Sequence, residues 1–547
     1  MSLQRLLLLT WLCLLNACGG SSGVLADLTN GGGVGTGGTG IVRGTVTGFG
    51  SIVVDGVSYD SASASFKGST SVTELDSAAP SDVQLGAQVQ LTLNAQGQAT
   101  EVQVMPDVSG VVQAGSVASH GFTLNGLFIR TNTLPQPHYI GISGLSSVRS
   151  GMHLAVSGMW GLDAASRPYL QATQILLLPN SDNSARLSGV ISALNAASQS
   201  FQLDNVTVRY TAGTATMPAG TALKDGMLVN VWSRAPMSNG PMVIQADVIR
   251  TRPLTHSSRL TGVVTQLNPQ TRRFQIQGIT VDASATSLQA TWAALTNGQY
   301  LSVQGAANAA GTEFTAQQID TTSSQVGISL QGTVTSVIDA RHFQVRGVTV
   351  NATTANLTLP TGMTSLSQGT FVTVMGALDE SGNMMATQIV ATLTPADGKV
   401  VEFVGLASQY DAALQTFMLS TQRAGESLNL RATLGTQVSY KNGTLSRLGS
   451  SGAGGVTVRV EGKWSSTGTL SVYSIQFIPP KPEAANGTQP VLIQGRIGDL
   501  VVNSSVTING MTLRLSDTSA LELGEKVDVW LYPNSQGGEA GHIEHAD

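Results

Sequence analysis

Charge is scarce in this chain: Asp, Glu, Lys and Arg make up 11% of its 547 residues, and aromatics only 5%. With 28 basic residues against 33 acidic and a net charge of −5, it lacks the electrostatic footprint of a general nucleic-acid or anionic-lipid binder. Cysteine is nearly absent too. Cys13 and Cys18 both stand close to the start, which excludes a disulfide framework for the bulk of the chain. The longest apolar run near the N-terminus, Leu6 to Leu15, is too short for a permanent membrane helix. Apolar residues still reach 41%, so the chain is no disordered polyelectrolyte, and its stability must come from packing.

The opening residues, MSLQRLLLLTWLCLLNACGGSSG, place Arg5 before that apolar run, as in a secretory signal. Leu15-Asn16-Ala17-Cys18 resembles the lipobox of bacterial lipoproteins. The resemblance implies cleavage after residue 17, lipidation (palmitate among the acyl groups) at Cys18, and a membrane anchor there. An ordinary cleaved signal peptide is the alternative. Gly19 is not the Asp that commonly retains lipoproteins in the inner membrane, so the expected location is the outer membrane, facing periplasm or cell surface. Residues 18–40 then form a Gly/Ser-rich tether. Within it, Gly19-Gly20-Ser21-Ser22-Gly23 fits a nucleophile-elbow pattern and Gly33-Val34-Gly35-Thr36-Gly37-Gly38 a dinucleotide fingerprint. Neither has the strand before it and helix after it that the chemistry needs, so both read as spacer.

The remainder repeats itself. FQIQGITV at 274–281 returns as FQVRGVTV at 343–350, and the same pattern of alternating apolar residues about a two-residue turn occurs around Asp55-Gly56, Asn125-Gly126, Asp204-Asn205 and Asn509-Gly510. Such dipeptides tolerate the positive φ of a type I′ turn, so each copy reads as a tight β-hairpin. Its cross-strand pairs (Val54 with Val57, Ile52 with Tyr59, Phe274 with Val281, Ile276 with Ile279) put the apolar side chains on one face. Phe122, Phe201, Phe274, Phe343 and Phe417 are then core residues. Around each hairpin recur a Gly-x-apolar strand (Gly44, Gly110, Gly189, Gly262, Gly332, Gly405, Gly495), a Gly-x-x-apolar-x-apolar strand and a final Ala-x-x-apolar strand.

The turn glycines set a period of about 70 residues, which predicts seven units: 41–106, 107–179, 185–252, 258–323, 327–394, a diverged 400–479 and a shortened 490–547. Each has about five strands, with room for a helical turn or two before the fourth. The fold class expected is all-β: a tandem array of small five-stranded OB-like barrels, with SH3-like barrels as the alternative, since closure removes exposed edges. Units this small bury little surface alone, so neighbours should share packing.

The arrangement resembles tandem copies of the bacterial domain of unknown function 5666, most clearly at 44–64, at 332–352 and in the Gly-x-x-Val-x-Val strands. The resemblance implies a shared fold and brings no catalytic residues with it.

Chemistry is thin. The histidines (His120, His138, His153, His256, His342, His542 and His545) occupy non-equivalent positions in different units, whereas a site repeated with the fold would recur in register. His542, Glu544 and His545 form the only local group with metal-ligand chemistry, and a solvated terminus is the plainer reading. Arg250, Arg252, Arg259, Arg272 and Arg273 make a basic patch about one joint, without the aromatic platform of single-strand binders. No catalytic residues, cofactor or nucleic-acid partner are expected. The sequence points to a non-catalytic binding or scaffolding protein of the envelope with a glycan or protein partner; a spacer without ligand and a hydrolytic enzyme are the alternatives.

Overall fold

The computed structural model describes residues 40–545 except 69–82, 133–135, 166, 180–183, 205, 236–241, 253–257, 309–310, 322–326, 380–382, 425, 451–453, 479–490, 509–510, 516–517, 520 and 533–538. Cys18 and the tether up to residue 39 therefore lie outside the described residues, as does His256.

The protein is all-β, and unit 4 shows the plan of each repeat. Its strands are Ser258–Asn268, Arg273–Ile276, Ile279–Asp282, Tyr300–Ala307 and Phe314–Asp320. The first strand is long because it serves two partners. Ser258 to Val263 pair with the fourth strand, and Val264 onward with the second. The second and third form the hairpin, the third runs parallel to the fifth, and the fifth returns to the fourth. Hydrogen bonding thus passes in the order 1-2-3-5-4 and comes back to its starting strand. The corresponding strands of units 6 and 7 form closed barrels in this order. Between hairpin and fourth strand, unit 4 has two short helical turns, Thr286–Leu288 and Gln289–Trp292. In units 1, 2, 3 and 5 that stretch instead supplies a short extra strand parallel to the last one, which sequence reasoning did not anticipate.

The hairpins form as their dipeptides dictate. Val54 pairs with Val57 and Ile52 with Tyr59, and the turn residues Asp55 and Gly56 have φ of 48° and 78°. Gln277-Gly278 and Arg346-Gly347 repeat this with φ near 52° and 75° and near 51° and 76°. Ile508 pairs with Met511 across Asn509-Gly510, although those two residues lie outside the described set. A left-handed Gln or Arg costs about 1–2 kcal/mol, and here the side chain is held: Gln277 Nε2 donates to Thr261 O at 3.0 Å, and Arg346 pairs with Glu461. The turn residue also explains the glycine of the first strand. A Cβ on Gly44 would lie 1.7 Å from Asp55 Oδ2, and one on Gly110 would lie 2.2 Å from Asn125 Oδ1. The glycine is a floor over which the turn side chain folds back.

Phe122, Phe201, Phe274, Phe343 and Phe417 are all buried on the face the alternation predicts. The cores are not independent, however. Units 1 and 5 share one apolar cluster, from Val42 and Val54 to Val350 and Ile389, and units 2 and 3 share another, from Phe122 to Ile249.

Neighbours share packing as expected, but the expected tandem array of small closed barrels is corrected by these unions and by pairing between units. Ile41–Arg43 run parallel to Ser258–Leu260, Gly48-Phe49 run parallel to Ser329-Leu330, and Val108-Ser109 pair with Arg186-Leu187. Hydrogen bonding is thereby continuous through a 17-stranded network in units 1, 4 and 5 and a 13-stranded one in units 2 and 3. Repeats joined through shared sheets have the character of a β-solenoid. Modules this small cannot bury enough apolar surface alone, and first strands that expose backbone on their outer side supply the edges that join them.

Candidate functional site

Unit 1 sits among the others, and chemistry-bearing side chains collect where its neighbours meet. Unit 3 bears Arg186 three residues before its first-strand glycine, unit 4 has Arg259 at the same place, and unit 6 has Glu402. Alternation puts these side chains on the outer face, opposite the core. That face is covered by other units, so charge that reads as solvated in the sequence is buried in the fold.

One cluster gathers at the junction of units 1, 2 and 3. Arg43, Arg186 and Arg252 are 2%, 1% and 6% exposed. Gln90 Oε1 accepts from Arg43 Nε at 2.8 Å and from Arg252 Nη2 at 3.1 Å, and Gln103 Oε1 accepts from Arg252 Nη2 at 3.3 Å. With its amide oxygen turned to the arginines, Asn230 accepts from Arg186 Nη2 and Arg252 Nη1, each at 3.3 Å. Trp232 receives Arg186 on its ring face at 5.0 Å. Burial lowers Arg43 to about 10 and Arg186 to about 9, and lowers Arg252 as well, with Arg43, Arg186 and Arg250 adding repulsion there. Asp107 is the carboxylate of this group. Burial raises it to about 7, against the opposing pull of the Gly158 N–H, Arg186, a Trp160 hydrogen bond and Arg252.

Beside the cluster, units 2, 3 and 4 enclose a recess of about 350 Å³. Trp160, Leu162 and Pro168 line it from unit 2, Ser192 and Asp204 from unit 3, and Thr265, Gln266, Gln275 and Gln277 from unit 4. The bulge in the first strand of unit 4 falls between Thr265 and Asn268 and includes Gln266, at φ 50°, while the hairpin turns present Asp204 and Gln277. Burial raises the Asp204 carboxyl above its usual range. Among the described residues the lining offers an indole, neutral amides, two hydroxyls and one carboxylate, with no histidine, cysteine or lysine. Trp160, Gly189 and Gln277 also line a smaller cavity of about 30 Å³ that reaches Arg43, Asp107 and Arg252.

Two further junctions carry buried polar groups. Between units 1 and 4, Asp55 Oδ1 accepts from Tyr300 Oη at 2.8 Å and from Thr45 N at 3.2 Å. Burial raises Asp55 to about 6, despite Tyr300, Arg259 and Thr45. Between units 5 and 6, Arg346 pairs with Glu461, which also accepts from Tyr473 Oη at 2.9 Å. Burial opposes the charge on Arg346, yet Glu461, Tyr473 and Glu402 hold its pKa above the ordinary arginine value.

Among the described residues, the structure does not bring the predicted candidates together. Of the five arginines expected to form a basic patch, Arg252 is buried in the cluster above. Arg250 lies 5.9 Å from the Trp232 ring, and Arg259 donates to Ser302 Oγ at 2.7 Å and to Tyr59 Oη at 3.4 Å. Arg273 is paired with Asp282 and Glu313, and Arg272 takes a left-handed position in the turn between the first and second strands. Contact with neighbouring units and acids thus disperses the expected basic patch. His542, Glu544 and His545 lie on the last strand, and their side chains are outside the described set. Among the described residues no group of three or more His, Cys, Asp or Glu could hold a metal ion. His138 and His153 are buried and donate a ring N–H to Leu85 O at 3.2 Å and Ser184 O at 2.9 Å, since a carbonyl can only accept. His120 packs against Phe128, and His342 pairs with Asp339 at the surface.

Residues 188–246, 261–320 and 331–390 each match the family model described as domain of unknown function DUF5666, so 188–390 are three tandem copies of that domain. These are units 3 to 5. The match does not extend to 44–64 in unit 1, where the resemblance looked equally clear. Among curated proteins, none matches the chain.

Proposed function

We propose that this chain, with its three DUF5666 copies at 188–390, is a non-catalytic binding scaffold of the cell envelope, carried on the outer membrane by lipid at Cys18. The strand order 1-2-3-5-4, with third and fifth strands parallel, supports OB-like over SH3-like units within the joined array. OB-like barrels bind oligosaccharides, a point of fold analogy. The observation that carries the reading is the recess between units 2, 3 and 4. Trp160 offers an aromatic face for the C–H side of a sugar ring, and Gln266, Gln275, Gln277 and Asp204 offer groups for its hydroxyls. A carboxylate without a partner base supports binding rather than turnover.

The test is a glycan array and cell-wall pull-down with the full chain, repeated with Trp160→Ala and Gln275→Ala. Micromolar binding to a defined glycan, weakened at least tenfold in both variants, is expected. Failure to retain any glycan or envelope fraction overturns the binding reading. It would leave a spacer, which the filled unit interiors around Phe122, Phe201 and Phe274 favour.

A further inference from the structure

Asp204 gives the recess between units 2, 3 and 4 a sign. It follows the strand Ser200–Leu203 at the hairpin turn of unit 3, with φ of 48°. In other units the side chain at this position is spent on its own first strand. Asp55 accepts from Thr45 N at 3.2 Å, Asn125 donates to Ser109 O at 2.7 Å, and Gln277 donates to Thr261 O at 3.0 Å. Unit 3 departs from that pattern. A Cβ on its first-strand glycine, Gly189, would meet Leu203 at 3.3 Å, where one on Gly44 or Gly110 would meet the turn side chain itself. Asp204 lines the recess instead. Among the described residues no hydrogen bond or ion pair reaches its carboxylate, and burial is the one influence raising it above its ordinary range.

The described lining contains no cationic side chain to answer that charge. Arg43 and Arg252 lie beyond Trp160 and Gln277 in the smaller cavity, together with Asp107. An enclosed carboxylate is penalised until a cation reaches it. A sugar acid would meet Asp204 as a like charge, and a neutral sugar brings a donor without charge. An ammonium brings both, and its strongest hydrogen bonds are those to an ionised acceptor. Gln266 and Gln275 still offer their amides to hydroxyls, and Trp160 its ring to the C–H face of a sugar.

Resting on the reading that the recess binds a glycan, we propose that it selects sugars bearing a free amino group, with the ammonium on Asp204 and the sugar ring against Trp160. Asp204 is then the residue that determines specificity.

The test is calorimetric titration of the full chain with short oligomers of glucosamine, N-acetylglucosamine and glucose, at mildly acidic pH where the amine keeps its proton. A hydrogen bond to a charged group is worth about ten- to hundredfold in affinity, so the glucosamine oligomer is expected to bind tighter than the other two by about that factor. Added salt should weaken it selectively. Asp204→Asn retains a residue that tolerates the left-handed turn and is expected to bring the three ligands within about threefold of one another. If the variant does not fold, the ligand preference and salt dependence of the unsubstituted chain decide alone. Equal affinity for the three oligomers, tighter binding of an uncharged one, or an undiminished glucosamine preference in Asp204→Asn overturns this proposal and leaves the glycan reading standing. Retention of no glycan at all overturns both.

Discussion

Asp55 offers a sharp test of how the repeats are held together. Its carboxyl is buried between units 1 and 4 and titrates at about 6, above the ordinary value for an exposed Asp. A carboxyl raised on folding contributes stability that is complete below the unfolded pKa of about 4 and is lost as pH rises through the folded value. A rise of about two pKa units corresponds to about 3 kcal/mol. The hydroxyl of Tyr300 limits that loss, since it donates to Asp55 Oδ1 at 2.8 Å. Tyr300→Phe should therefore cost about 1.5–3 kcal/mol at pH 8, where the partner is charged, and about 0.5–1.5 kcal/mol at pH 4.5, where it is neutral. Asp55→Asn should remove its own share of the fall in stability between pH 4 and 6 and so make that slope shallower. It should leave the share that comes from Asp107, which burial raises to about 7 and whose loss runs from about pH 4 to 7. Urea unfolding followed by tryptophan fluorescence across pH 4–8 reads all three proteins. Equal losses for Tyr300→Phe at both pH values, or an unchanged slope in Asp55→Asn, would refute the assignment of that ionisation to this junction.

Other positions test the remaining supports. Gly44→Ala places a methyl 1.7 Å from Asp55 Oδ2, so it should expel the turn side chain and lower stability by about 1–3 kcal/mol; a loss below 0.5 kcal/mol in denaturant titration would deny the glycine its spatial role. Arg346→Met strands Glu461 in the junction of units 5 and 6, at about 3–5 kcal/mol, and pairing it with Glu461→Met should recover most of that in calorimetry. Lys463→Ala breaks a half-exposed ion pair with Asp60 and should change the unfolding midpoint by no more than about 1 kcal/mol implies.

The hairpins were legible because their information is local. Asp-Gly and the alternation on either side determine turn, register and buried face together, and Phe274 and Ile276 needed nothing more. The junctions were not legible, because the outer face of a first strand carries the same polar residues whether water or another unit covers it. Arg252 and Arg272 look alike in the sequence, yet one is enclosed by units 1 and 3 and the other sits in a turn. A weak signal existed: Arg186, Arg259 and Glu402 share one register position in a chain with little charge to spend. The recess was invisible for a related reason, since Trp160, Asp204 and Gln275 come from three units and meet only through the packing of those units.

The pairing of Gly48 with Ser329 and the apolar interior common to units 1 and 5 bear on how the molecule assembles. Material made first must wait for partners made much later, so the leading repeat stays half-finished, with oily surface uncovered, through most of the chain's emergence. Long-range closure of this kind is slow and exposed to aggregation. Truncation after unit 4 would then harm the beginning of the protein more than its new end.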